Sequence, residues 1–204
     1  MSKKPIIVFE GIEGSGKSHH ISIVSKYLSK KKISHIKIRE PGGNPNSEKI
    51  RKLILNNNSN FNKDTDLLLY MAARSENMSI IKRSFNKKII LIDRFTDSTI
   101  AYQHYGMGVD LNLIETLNKY LLKDIRVSFT FLNIVNQKNL QKRLKQRKSL
   151  NRYDKFKMSF YNKVQRGFLN LSKKQKNKYQ LINSNLDISN NEKLILDKID
   201  RLIK

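Results

Sequence analysis

The sequence predicts an α/β sandwich, a mainly parallel five-stranded sheet flanked by helices. Three observations lead there. Strand-like apolar runs recur between helix-like segments along the whole chain. One run, "KKIILIDR" (87–94), is apolar without alternation, as in a parallel strand buried on both faces. The first run, "IIVFE" (6–10), leads into a glycine-rich loop that opens a helix.

Each element has its own signal. After the loop, "GKSHHISIVSKYLSKK" (16–31) places Ile21, Val24 and Leu28 on one helical face. "SHIKIRE" (34–40) reads as the second strand, ended by Pro41-Gly42-Gly43. "EKIRKLIL" (48–55) has helical spacing and "NNNSNFN" (56–62) is a polar loop. A long helix is expected over 64–85, capped by Asp64 or Thr65. The third strand is 87–94, "RVSFTFLNIV" (126–135) the fourth and "YQLIN" (179–183) the fifth. The stretch 137–157 is basic and poor in large apolar residues in its second half, which suits a mobile lid or a solvated helix pair. No repeat, linker or composition break divides the 204 residues, so one domain is expected.

Composition excludes several classes. Without cysteine there is no disulfide framework and no thiolate metal site. The N-terminal apolar run is too short for a signal peptide and no stretch reaches membrane-spanning length, so a cytoplasmic protein that binds no membrane is expected. The net charge of +24 invites a nucleic-acid reading. Lysine supplies 30 of the 41 basic residues, however, and is scattered over every segment without aromatic interleaving. Asparagine and isoleucine are also heavily used, so the charge reflects a compositional drift, and no specific nucleic acid is expected as a partner.

The chemistry is concentrated in a few places. Gly11-Ile12-Glu13-Gly14-Ser15-Gly16-Lys17-Ser18 fits G-x-x-x-x-G-K-[ST] between a strand and a helix. Backbone N–H groups of such a loop surround nucleotide phosphates, Lys17 reaches the β- and γ-phosphates, and Ser18 can ligate Mg²⁺. An ordinary glycine turn would not need that lysine and hydroxyl at those offsets. This extends the fold prediction to a P-loop NTPase-type three-layer sandwich. Asp93-Arg94 closes the third strand, where ligands sit in open parallel sheets. Asp93 could hold a metal's water shell and Arg94 could clamp a phosphate. A lone pair of this kind is more often a surface ion pair, but the neighbouring loop reverses the odds. Tyr70 and Arg74 share a helical face, a ring for stacking beside a planar donor. Thr99, Tyr102 and Gln103 in "STIAYQ" add hydroxyl and amide groups.

Together the motifs resemble the bacterial thymidylate kinase family, a resemblance covering nearly the whole chain. It runs through "FEGIEGSGKS", "REPGG", "EKIRKLIL", "LLYMAARSE", "DRFTDSTIAYQ", "NRYD" and "KVQRGF" in order. The resemblance implies transfer of the γ-phosphoryl of ATP to dTMP, giving dTDP with Mg²⁺, by a homodimer. It puts the ATP phosphates on residues 11–18, with Glu13 near the sugar 3′-hydroxyl or the metal's waters. Tyr70 takes the place of a phenylalanine that stacks on thymine, and Arg74 would bond the base edge. Arg94 would hold the dTMP phosphate, assisted by Arg51 and by Glu40 through its neighbours. Thr99 and Gln103 would read the base, while Tyr102 would crowd the sugar 2′ position. His19, His20, His104 and Met107 depart from the family pattern.

The loop itself carries no arginine: Gly14-Ser15 stands where some members place a basic residue. Members lacking that residue keep the arginines in the lid, here about 141–157, where Arg143, Arg147 and Arg152 lie, with Arg152 of "NRYD" the first candidate. Phosphoryl transfer is mostly positioning plus charge stabilisation, so those arginines are expected to be catalytic together with Lys17 and Arg94. Two other readings stand beside this one: a P-loop kinase with a different small acceptor, and an ATP-driven nucleic-acid-binding module.

Overall fold

A computed structural model describes residues 4–203. Five parallel strands lie in the order β2-β3-β1-β4-β5: β1 (Ile6–Gly11), β2 (His35–Arg39), β3 (Ile89–Asp93), β4 (Phe129–Ile134) and β5 (Tyr179–Asn183). Between and around them run α1 (Lys17–Lys30), α2 (Pro45–Leu55), α3 (Lys63–Ser84), α4 (Thr96–Thr99), α5 (Leu111–Leu122), α6 (Gln137–Lys145), α7 (Met158–Lys174) and α8 (Ile188–Ile203).

The period of two in β1 builds both layers of core. Ile7 and Phe9 face Val24 and Leu28 of α1 and Ile195 and Ile199 of α8, with Phe9 stacked on Phe131 at 5.2 Å. Ile6 and Val8 face the other way, against Met78 and Ile81 of α3 and Ile90 and Ile92 of β3. Each such side chain removed from water contributes about 1.5–3 kcal/mol. The sheet is therefore dry on both faces, and functional groups gather at its carboxyl edge.

The observed strands match the predicted runs, with β1 one residue longer at Gly11, but two local features differ. The cap of α3 is Asn62, whose side chain accepts from the N–H groups of Asp64 (3.1 Å) and Thr65 (2.8 Å). That leaves Asp64 and Asp66 inside the first turn, where the helix dipole favours them. After α4, residues Ile100–Gly106 wind as a π-helix, which widens the turn that carries Tyr102 and Gln103. Helices α5, α7 and α8 were not marked individually by the sequence pattern.

Strand register decides which groups meet at the edge. Phe9 pairs with Asp93, Arg39 with Asp93, and Gly11 with Asn133. The glycine loop, the Glu40-Pro41 turn and the Arg94 turn thus leave the sheet side by side.

Candidate active site

The loop after β1 is held open by its backbone. Gly11 has φ +136°, and a Cβ there would collide with the Asn133 carbonyl oxygen. Gly16, at φ +89°, caps α1 without a side-chain bond, and no acid sits in the first turn of that helix. Its leading N–H groups are thereby available to an anion. Lys17 Nζ donates to the Ile12 carbonyl at 2.8 Å and to Ser15 Oγ at 3.4 Å. Burial, with Arg94 nearby, pushes Lys17 down to about 7. Phosphate oxygens in the loop would reverse that shift.

Ser18 Oγ donates to Asp93 Oδ2 at 3.1 Å. A hydroxyl and a carboxylate are hard oxygen donors of the kind Mg²⁺ takes. No group of three or more His, Cys, Asp or Glu among the described residues could cage a metal. The donor set fits an ion that completes its shell with water and nucleotide phosphate.

A cavity of about 430 Å³ opens beside the loop. Its walls include Glu13 to Ser18, and also Glu40, Arg51, Tyr70, Arg74, Arg94, Thr99, Tyr102 and Gln103. These come from separate parts of the chain, joined by the strand ends. Gly11 and Ile12 support the loop from beneath, with Ile12 buried. The cavity's size suits a nucleotide-sized ligand.

The arginines are set differently. Arg94 has φ +65°, a strained backbone for a side chain of its size. Buried Glu10 pins the turn, accepting from the N–H groups of Phe95 (2.8 Å) and Ser98 (3.2 Å) and from Ser98 Oγ (2.5 Å). Burial, then Asp97, pushes Glu10 up to about 7. The Arg94 guanidinium donates to Gly11 O at 2.9 Å and Glu13 Oε1 at 2.8 Å, and lies over the Tyr102 ring. Tyr102 donates to the other Glu13 oxygen. Arg51 donates to Pro41 O at 2.7 Å. Arg74 is 2% exposed and donates to Glu40 (2.7 Å), Asn118 (2.6 Å) and Thr99 (3.0 Å). Burial pushes Glu40 up in spite of the facing Arg74.

Of the three arginines in the basic segment, Arg147 alone lines the cavity. It pairs with Asp154 of the 3₁₀ turn Arg152–Lys155. Arg143 donates to Gly14 O (2.7 Å) and Ser184 O (2.6 Å), bracing the glycine loop from outside. Arg152 pairs with Asp66 of α3.

The residues matched by the thymidylate kinase family model, 9–195, span nearly all of this architecture. The chain belongs to the thymidylate kinase family. Thymidylate kinases of Thermosipho africanus (39% identical, 84% of this chain and 86% of that protein) and Kosmotoga olearia (33%, 89% and 88%) are among its relatives. The crystal structure of thymidylate kinase from Ehrlichia chaffeensis superposes with a TM-score of 0.78 at 33% identity, over 98% of this chain and 99% of that one.

The departures from the thymidylate kinase pattern are absorbed locally. His19 bonds Glu192 at 2.9 Å, and His20 packs behind the loop against Asn133 at 2.7 Å. His104 bonds the Val109 carbonyl at 2.8 Å, and Met107 packs on the core. Sequence reasoning passed over Asp66, Glu10, Asn118 and Tyr153. For Asp66 a signal existed: residues 66, 70 and 74 form one stripe on α3, continuing the Tyr70–Arg74 face. Glu10 reads as one more residue of a buried strand, and the others are brought in by tertiary packing.

Proposed function

We propose that this protein transfers the γ-phosphoryl group of Mg²⁺-ATP to dTMP, giving dTDP and ADP. A phosphate oxygen of dTMP attacks the γ-phosphorus in line while the bond to the β–γ bridging oxygen breaks. The loop N–H groups and Lys17 hold the donor phosphates, and Arg94 and Arg51 hold the acceptor phosphate. Mg²⁺, near Ser18 and Asp93, would offset charge on the β- and γ-oxygens. Arg147 enters the same space from the proposed lid.

One observation carries the choice of acceptor. Gln103 is fully buried in the cavity wall, and its Oε1 has no hydrogen-bond partner. Its amide nitrogen is already spent on Asp66 (3.2 Å) and Tyr153 (3.3 Å), so the vacant oxygen asks for a donor. The imide N–H of thymine is such a donor, with Tyr70 beside it to stack. Tyr102, tied to Glu13, would on this reading crowd a ribose 2′-hydroxyl.

The reading includes a cytoplasmic homodimer, for which Leu68 on α3 and Leu113 and Tyr120 on α5 offer exposed apolar area. No helix among the described residues is long and apolar enough to cross a membrane. The test is a coupled ADP-release assay with Mg²⁺-ATP, a panel of nucleoside monophosphates and DNA. dTMP should be the best acceptor and ribonucleotides poor. A preference for AMP or GMP, or ADP release driven by DNA, would overturn it.

A further inference from the structure

Asp66 stands between the base-reading side chain and the basic segment. It is 1% exposed, and both carboxylate oxygens are used. Oδ2 accepts from Gln103 Nε2 at 3.2 Å and from Tyr153 Oη at 2.5 Å. Oδ1 accepts from Arg152. Gln103 lies in the π-helical turn, whereas Arg152 and Tyr153 lie in the 3₁₀ turn that ends the basic segment. The Arg152 side chain is 15% exposed, packed over the Phe61 and Tyr153 rings, and outside the cavity wall. Its charge is committed to Asp66.

We infer that Asp66 is a positioning residue that links occupancy of the base site to closure of the proposed lid. The inference rests on the dTMP reading. A base that donates to Gln103 Oε1 fixes the orientation of that amide. Nε2 is then held toward Asp66 and the Tyr153 hydroxyl. With that oxygen satisfied, the other grips Arg152, and the whole 3₁₀ turn is seated on α3. Asn151 caps this turn and Asp154 belongs to it, bonding the Asn151 N–H at 3.1 Å. Asp154 in turn holds Arg147, the arginine that reaches the cavity. The path from Gln103 to Arg147 therefore runs through hydrogen bonds to Asp66, along the main chain of the 3₁₀ turn from Arg152 to Asp154, and through the Asp154–Arg147 ion pair, with Asp66 as its carboxylate on α3. An uncommitted surface acid would touch neither end.

A merely structural Asp66 would lower stability without changing how the lid responds to dTMP, so the response is the quantity to measure. Limited trypsin digestion samples opening of the lysine- and arginine-rich stretch 142–157. In the wild-type protein saturating dTMP, without ATP, should slow cleavage there by about tenfold, an ordinary size for coupling between sites. In Asp66→Asn, with dTMP saturation confirmed by calorimetry, protection should fall below about twofold. Asp66→Asn combined with Arg152→Gln should be no worse than either alone, because both break one ion pair. Should Asp66→Asn fail to fold, Tyr153→Phe removes a single hydroxyl from the same carboxylate and should weaken protection. Equal protection of wild type and these variants would overturn the linkage. If dTMP binds the wild type without protecting it, the linkage also fails while the acceptor reading stands. If dTMP does not bind the wild type, the acceptor reading falls first and the linkage with it.

Discussion

The glycine loop and the basic segment over 137–157 both face the cavity, and they are built by opposite means. The loop is shaped by main chain: β1 paired on both sides, Gly11 pressed against the Asn133 carbonyl, and Gly16 at the head of α1. It even borrows Arg143 from the segment as an external brace. The segment is shaped by side chains, through Arg147 with Asp154 and Arg152 with Asp66. A backbone cradle is pre-organised and keeps one geometry. Ion pairs between side chains can exchange partners when a phosphate arrives. On this difference we propose that the loop holds the phosphates and the segment delivers charge.

The largest effect should come from removing the loop's own charge. Lys17→Ala should cost on the order of 10³-fold in kcat, comparable with losing a strong preorganised donor. Circular dichroism and melting should show an intact fold, since Lys17 is proposed to serve the phosphates and its burial is a cost to the protein. Full activity in a folded Lys17→Ala protein would erase the loop's role.

A smaller effect sharpens the same point. In the free protein burial holds Lys17 near 7, so at pH 8 it is mostly neutral. Phosphates restore its charge, so ADP binding at pH 8 should take up most of one proton. Calorimetry in two buffers of different ionisation enthalpy reads this uptake, and Lys17→Met should abolish it. Uptake that persists in Lys17→Met would place the titrating group elsewhere.

The same contrast explains what could be read from the chain. The glycine loop, the strands and the Tyr70–Arg74 face are local patterns, with spacings that fix chemistry to one turn or one strand. Thr99, Tyr102 and Gln103, the residues proposed to meet the acceptor, were identifiable by motif, though the π-helix that carries Tyr102 and Gln103 and packs against the distant α7 was not. The α3 cap lay two residues before the expected pair, since Asn62 competes better for the free N–H groups. The partners of the arginines in the basic segment were the least legible. Arg143, Arg147 and Arg152 look alike in sequence, yet they face a backbone carbonyl pair, an acid of their own segment and an acid on α3. Such pairings across 41, 86 or 129 residues leave no local pattern.

Arg147 decides between the two kinds of construction. If the segment delivers charge to the phosphoryl group only as it transfers, Arg147 stabilises the transition state more than the ground state. Steady-state kinetics of Arg147→Ala should then show kcat reduced about a hundredfold, with the KM for ATP and for dTMP each within about twofold of wild type. An unchanged kcat would contradict the account, and the charge that steadies the transfer would have to come from the loop and Arg94 alone.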